Sequence, residues 1–200
     1  HPTEVDPDTL ANLAWQLERL RVLAQSNNKI VAVGEVGLDY HRQESRKMAE
    51  TQKSALRQFL SLAKELDLPV VFHCRDAYGD LITLLTDYPG VRGVVHCFTG
   101  NSDEAKRFLD LGLLVSFTAT VTYPANDSQR QVIKAVLLEK TLLETDCPFL
   151  APQSRRGTRN DPRTIFEIAQ TIAEIKKIDA EEVLAQTTSN AIALFGLETP

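Results

Sequence analysis

Four ionisable side chains end four short apolar runs of this sequence. Glu35 follows Ile30-Val31-Ala32-Val33-Gly34, and His73 follows Pro69-Val70-Val71-Phe72. His96 follows Gly93-Val94-Val95, and Asp146 follows Thr141-Leu142-Leu143-Glu144-Thr145. Imidazole and carboxylate together are the donors that hold zinc, iron, manganese or nickel, while magnesium favours oxygen and water. Such a set suits divalent-metal hydrolysis. A lone histidine ending an apolar strand is more often a hydrogen-bonded core residue. Four ionisable residues at four strand ends favour a metal site instead, because buried charges are kept with a partner or an ion.

The elements that must position these residues can be read from periodicity. Short β-branched runs separated by helical stretches predict buried parallel strands joined by crossovers. Asp6-Pro7 caps a helix whose apolar face is Leu10, Leu13, Ala14, Leu17, Leu20 and Leu23. Further helices are expected over about residues 48–66, 80–86, 102–109 and 127–136, with a strand over 113–117. A long loop, 147–162, precedes two or three closing helices. The count is five strands, each followed by helix. A closed barrel of such units takes eight strands, at ~30 residues per unit. The expected fold is therefore α/β, a TIM-type (β/α)₈ barrel present as about five of eight units, its N-terminal strands lacking. One domain would cover residues 1–200. A small open α/β sheet is the alternative.

Composition narrows the function classes. The chain of 200 residues is 43% hydrophobic and 24% charged, ordinary for a globular domain. No apolar stretch approaches the ~18 residues that cross a bilayer. The net charge of −5, with no lysine-arginine block, argues against a protein that grips a long duplex through its phosphates. It leaves room for an enzyme that handles one phosphodiester at a metal. Cys74, Cys97 and Cys147 form no CxxC pair, so a reducing cytoplasm is expected, with all three as small buried residues beside a site.

Four segments carry a resemblance. They are Gly34-Glu35-Val36-Gly37-Leu38-Asp39-Tyr40, His73-Cys74-Arg75-Asp76-Ala77, His96-Cys97-Phe98-Thr99-Gly100 and Glu144-Thr145-Asp146-Cys147-Pro148. In order and spacing the sequence resembles the TatD family of metal-dependent deoxyribonucleases. Arg156-Gly157-Thr158-Arg159-Asn160-Asp161-Pro162 and the stretch 190–197 echo it more weakly. The resemblance implies a (β/α)₈ barrel holding two divalent ions. It implies that Glu35 bridges both ions, that His73 and His96 ligate one, and that Asp146 ligates the other and deprotonates the attacking water. The Asp146 ion would also take a His-x-His pair, which this sequence does not contain. His1-Pro2 resembles the family's Gly-x-His-Pro segment. One full-strength site at the histidine pair and a weak one beside Asp146 are expected.

Other residues have weaker signals. Glu144 would share the face of Asp146 by strand alternation, as a supporting or structural carboxylate. Asp39 and Tyr40 are expected in a loop with a structural role, and His41 in solvent. Arg75 either clamps a phosphate or pairs with a carboxylate. Arg155, Arg156, Arg159 and Arg163 form the basic cluster of the loop past Asp146, where a nucleic-acid backbone would approach. Phe98, Tyr123 and Phe149 are stacking candidates, though packing is the commoner role. Phe117-Thr118-Ala119 stands where the family has a serine-or-threonine–glycine pair, so a methyl group would narrow the mouth.

The expected function is divalent-metal-dependent hydrolysis of phosphodiester bonds, as a 3′–5′ exonuclease on single-stranded DNA. Glu35 and Asp146 would be catalytic, and His1, Arg75 and Arg156 would contact substrate. The rivals are a small-ester or aminoacyl-ester hydrolase on the same site, and a catalytically impaired fragment that self-associates through an exposed sheet edge.

Overall fold

The structure, a computed structural model, describes residues 1–198. Its elements alternate strand and helix as the periodicity predicts. The strands are β1 (Val33–Asp39), β2 (Val70–Arg75), β3 (Gly93–Val95), β4 (Leu114–Phe117) and β5 (Thr141–Leu143). The helices are α1 (Pro7–Ala11), α2 (Leu13–Ser26), α3 (Gln43–Lys47), α4 (Ala49–Glu65), α5 (Tyr78–Leu85), α6 (Ser102–Asp110), α7 (Asp127–Ala135), α8 (Ile165–Lys176) and α9 (Ala180–Phe195). Two compact units divide within β3: His1–Val94 with Leu194–Leu197, and Val95–Ala193.

In the first unit, β1 pairs parallel to β2, from Val33 opposite Val70 to Asp39 opposite Arg75. Parallel neighbours need a crossover, and α3 and α4 supply it. α4 turns Ala55, Leu56, Leu60 and Ala63 inward. The amphipathic stretch before β1 departs from expectation in two ways. It breaks at Asn12, whose side chain donates to the Asp8 carbonyl and competes with the helix ladder. Only Leu13 and Leu17 of its apolar face are buried, packed on Ala55 and Leu62. Leu20 and Leu23 are exposed beside Trp15 and Val22.

In the second unit, β4 and β5 pair parallel, Val115 opposite Thr141 to Phe117 opposite Leu143. Asn101 caps α6 through a reciprocal bond pair with Glu104. The core is aromatic and aliphatic: Phe98, Phe108, Phe117, Ile133, Ile168 and Ile172 are fully buried. Asn190 of α9 donates to the carbonyls of Leu138 and Thr141 at 2.8 Å each, which fixes the start of β5. Residues 147–162 form the expected long loop, with one short turn of 3₁₀ helix at Gln153–Arg155. Among the described residues no helix is long and apolar enough to cross a membrane.

Candidate metal centre

Glu35 lies inside β1, not after it. The ladder pairs Gly34 with Val71 and resumes at Val36 with Phe72, so Glu35 is the residue the register skips. An irregularity of this kind frees one side chain from the strict alternation of the pleat. The two carboxylate oxygens then face two imidazoles. Oε1 is 4.0 Å from His1 Nε2, and Oε2 is 3.4 Å from His73 Nδ1.

β1 continues to Asp39, and this corrects the expectation of a loop. Asp39 is buried, and its Oδ2 lies 3.0 Å from His73 Nε2. His73 thus has a carboxylate at each ring nitrogen, Asp39 at Nε2 and Glu35 at Nδ1; an ion held by Nδ1 and Glu35 would leave Nε2 as the nitrogen that donates to Asp39. A ring held at one nitrogen by a carboxylate is the usual state of a metal-ligating histidine. Gly37 makes the approach possible. Its φ is +152°, and a Cβ there would lie 1.9 Å from the His73 carbonyl oxygen. Gln52 of α4 anchors the strand end: it accepts from the Asp39 amide at 2.8 Å and donates to the Asp39 carbonyl at 3.1 Å. The alternation Glu35, Gly37, Asp39 was the available signal.

His1, expected as a substrate contact, sits within this donor group. Its Nε2 is 3.2 Å from His73 Nδ1, and its Nδ1 accepts from the Thr3 amide at 3.2 Å. His1, Asp39 and His73 each offer a ligand atom, all within 4.8 Å of one another.

The second unit has a parallel arrangement. His96 directly follows β3, and Cys97 turns the chain with φ +46°. Glu144 accepts from the Cys97 amide at 2.6 Å and from the Ser116 hydroxyl, while its other oxygen lies 3.6 Å from His96 Nδ1. Burial pushes the Glu144 carboxyl up, but the His96, Ser116 and Cys97 partners outweigh it and hold the group below the ordinary carboxylate range. Glu144 therefore supports His96 as Asp39 supports His73. His96, Glu144 and Asp146 offer ligand atoms within 4.8 Å of one another. Asp146 adopts φ +51°, which aspartate tolerates better than most residues. Buried Asn160 clamps the chain on both sides of it, donating to the carbonyls of Thr145 at 2.8 Å and Phe149 at 2.7 Å.

The donor chemistry fits a divalent ion: nitrogen and carboxylate atoms at close range, with both histidines held by carboxylates. The remaining expectations divide. Arg75 is exposed at the end of β2, and no carboxylate pairs with it among the described residues. His41 is not merely solvated but pairs with Asp76 at 2.9 Å. Tyr40 is buried, its hydroxyl donating to Asp80. Of the loop arginines, Arg155 and Arg163 pair with Asp161, and Arg156 stacks 4.2 Å over Tyr123. Arg159 is exposed with no side-chain partner among the described residues. Phe98 is core, packed edge-on against Phe108, whereas Phe149 is 68% exposed. Ala119 is fully buried, so its methyl group does not narrow an open mouth. Of the cysteines only Cys74 is buried; Cys147 is exposed.

Comparisons with known proteins agree with this chemistry. A family profile described as TatD related DNase matches residues 1–196. An uncharacterised metal-dependent hydrolase of Bacillus subtilis, YabD, is 39% identical over 98% of this chain and 74% of its own length. A 3′–5′ ssDNA/RNA exonuclease TatD of Erwinia amylovora is 37% identical over 98% of this chain and 75% of its own. The crystal structure of a TatD homologue from Escherichia coli K12, YJJV, superposes with a TM-score of 0.84 at 34% identity, covering 91% of this chain and 70% of that one. A TatD family hydrolase from Entamoeba histolytica gives 0.77 at 32%, over 90% and 68%. The fold is thus α/β of the TIM-barrel type, with five parallel strands among the described residues.

Proposed function

From the premise that the chain belongs to the TatD-related DNase family, we propose that it trims single-stranded DNA from the 3′ end in the cytoplasm. Members are metal-dependent hydrolases acting on ester bonds, and this chain is one. In the proposal, Glu35, His73, His96 and Asp146 are the residues that would hold divalent ions. Such an ion would supply Lewis-acid chemistry toward the phosphodiester and toward water. Asp146 accepts the proton of the attacking water. Arg75 holds the non-bridging phosphate oxygens with its planar fork, and Arg156 meets the backbone further along.

The observation that carries this reading is the state of His73. Its outer nitrogen lies 3.0 Å from Asp39, and its inner nitrogen faces Glu35 at 3.4 Å. The test is degradation of an end-labelled single strand with manganese. Stepwise shortening from the 3′ end, abolished by Asp146→Asn, is expected. An intact strand alongside cleavage of carboxyl esters would overturn the nuclease reading.

A second reading, a small-ester or aminoacyl-ester hydrolase on the same residues, is favoured by one observation. Two of the four loop arginines are already neutralised by Asp161, and the net charge is −5. Salt separates the two, since only phosphate contacts lose affinity steeply with added salt.

A further inference from the structure

We infer that Phe149 is a base-stacking platform, taking the flat face of a nucleotide that flanks the bond to be cut. The inference rests on the nuclease reading above and deepens it, because it names the group that selects an unpaired strand. Of the three aromatic candidates in the sequence, two are already engaged. Phe98 is fully buried. Tyr123 has Arg156 over its ring at 4.2 Å, and its hydroxyl donates to the Ala151 carbonyl at 2.8 Å. Phe149 is 68% exposed.

Its place in the chain ties it to the site. The Phe149 amide donates to the Asp146 carbonyl at 2.9 Å, closing a turn that keeps the two α-carbons within about 7 Å. That is the reach of one nucleotide, whose phosphate and base are separated by a single sugar. The backbone under the ring is held. Buried Asn160 donates from its side chain to the Phe149 carbonyl at 2.7 Å and from its amide to the Pro148 carbonyl at 3.0 Å. The Asn160 side-chain oxygen accepts in turn from the Thr164 hydroxyl at 2.9 Å. A ring on such a backbone has only two torsions to lose when it stacks, so little of the stacking energy goes into ordering. Charge on the same loop favours a nucleotide. Asp161 neutralises Arg155 and Arg163, while Arg156 has no carboxylate partner among the described residues. An exposed ring beside an unneutralised cation suits an anion that carries a flat ring, and a compact ester offers no such face. A base inside a duplex has both faces taken by its neighbours, so the platform selects a single strand with little regard to which base it bears.

The test compares two end-labelled single strands of one sequence, with manganese present, by the initial rate of the first 3′ cleavage. One strand is complete, and the other is abasic at the two nucleotides flanking the 3′-terminal phosphodiester. The wild type is expected to prefer the complete strand at least about fivefold in kcat/KM, mostly through KM, the low end of what one stacked base is worth. Phe149→Ala should bring that ratio close to one, and Phe149→Tyr should keep it. Phe149→Leu retains apolar bulk without a π face, so it should lose the ratio as Phe149→Ala does. A ratio near one in the wild type, or one unchanged in Phe149→Ala or Phe149→Leu, would overturn the stacking role while leaving the nuclease reading intact. If the wild type cleaves neither strand, the nuclease reading falls and this inference with it. Should Phe149→Ala fail to fold, the contrast between Phe149→Leu and Phe149→Tyr decides.

Discussion

At the scale of single residues, the chemistry lies in pairs: a histidine and the carboxylate that orients it. Asp39 with His73 and Glu144 with His96 are the two pairs. Removing the acceptor should loosen the metal without removing a ligand. Asp39→Asn is expected to lower metal affinity about 10–100-fold, with the circular dichroism spectrum retained; titration with zinc checks it. Arg75→Ala should raise KM for a nucleotide strand while leaving metal content unchanged, because its guanidinium has no structural partner to lose among the described residues. Glu35, His73, His96 and Asp146 were legible because each ends an apolar run, which makes a charged side chain conspicuous. Asp39 was not, because the apolar run stops at Gly34 and does not show that β1 continues to Asp39. The skipped register at Glu35 is a property of pairing with β2, and no single strand's sequence displays pairing.

At the scale of elements, the donors are only as well placed as the strand ends that hold them. Gly37 allows β1 and β2 to close on each other. Gly37→Ala adds a Cβ that meets backbone, which cannot give way as a side chain could. A loss of about 3 kcal/mol or more is expected, read as a fall in melting temperature of roughly 6–12 °C. The α4–α5 contact has a pH signature. Lys53 Nζ donates to Asp80 at 2.8 Å, and with the Tyr40 hydroxyl it holds the Asp80 carboxyl below its ordinary value of 3.8, against burial. A carboxyl depressed by folding adds stability that is complete above its unfolded value and fades as pH falls below it. Asp80→Asn should therefore melt lower than wild type at pH 7, by about 1 kcal/mol or less given its exposure. The difference should shrink from pH 4 downward. A gap that persists at pH 2.5 would contradict this. Helix positions were legible from apolar spacing in α4, α6 and α7. The break at Asn12 and the open face of α2 were not, because periodicity shows which face is apolar but not what covers it.

At the scale of the whole molecule, charge and fold class set what the enzyme can bind. Alternating strand and helix announced parallel strands and an α/β fold, and the similarity to solved TatD structures agrees. The division into two compact units within β3 had no signal in composition or linker. An acidic chain whose proposed phosphate contacts are Arg75 and Arg156 should hold a single strand weakly. With two contacts, the logarithm of the binding constant should fall with the logarithm of salt with a slope of about −1.4. Fluorescence anisotropy of a labelled oligonucleotide measures this. A slope near zero would favour the small-ester reading, and a much steeper one would mean a wider basic surface than these residues provide.

The most direct measurement is anomalous scattering from crystals of the chain grown with zinc, collected at the zinc edge. The account predicts zinc peaks at Glu35 and His73 and at His96 and Asp146. No peak at these residues at full zinc saturation, or zinc held only elsewhere on the chain, would contradict it.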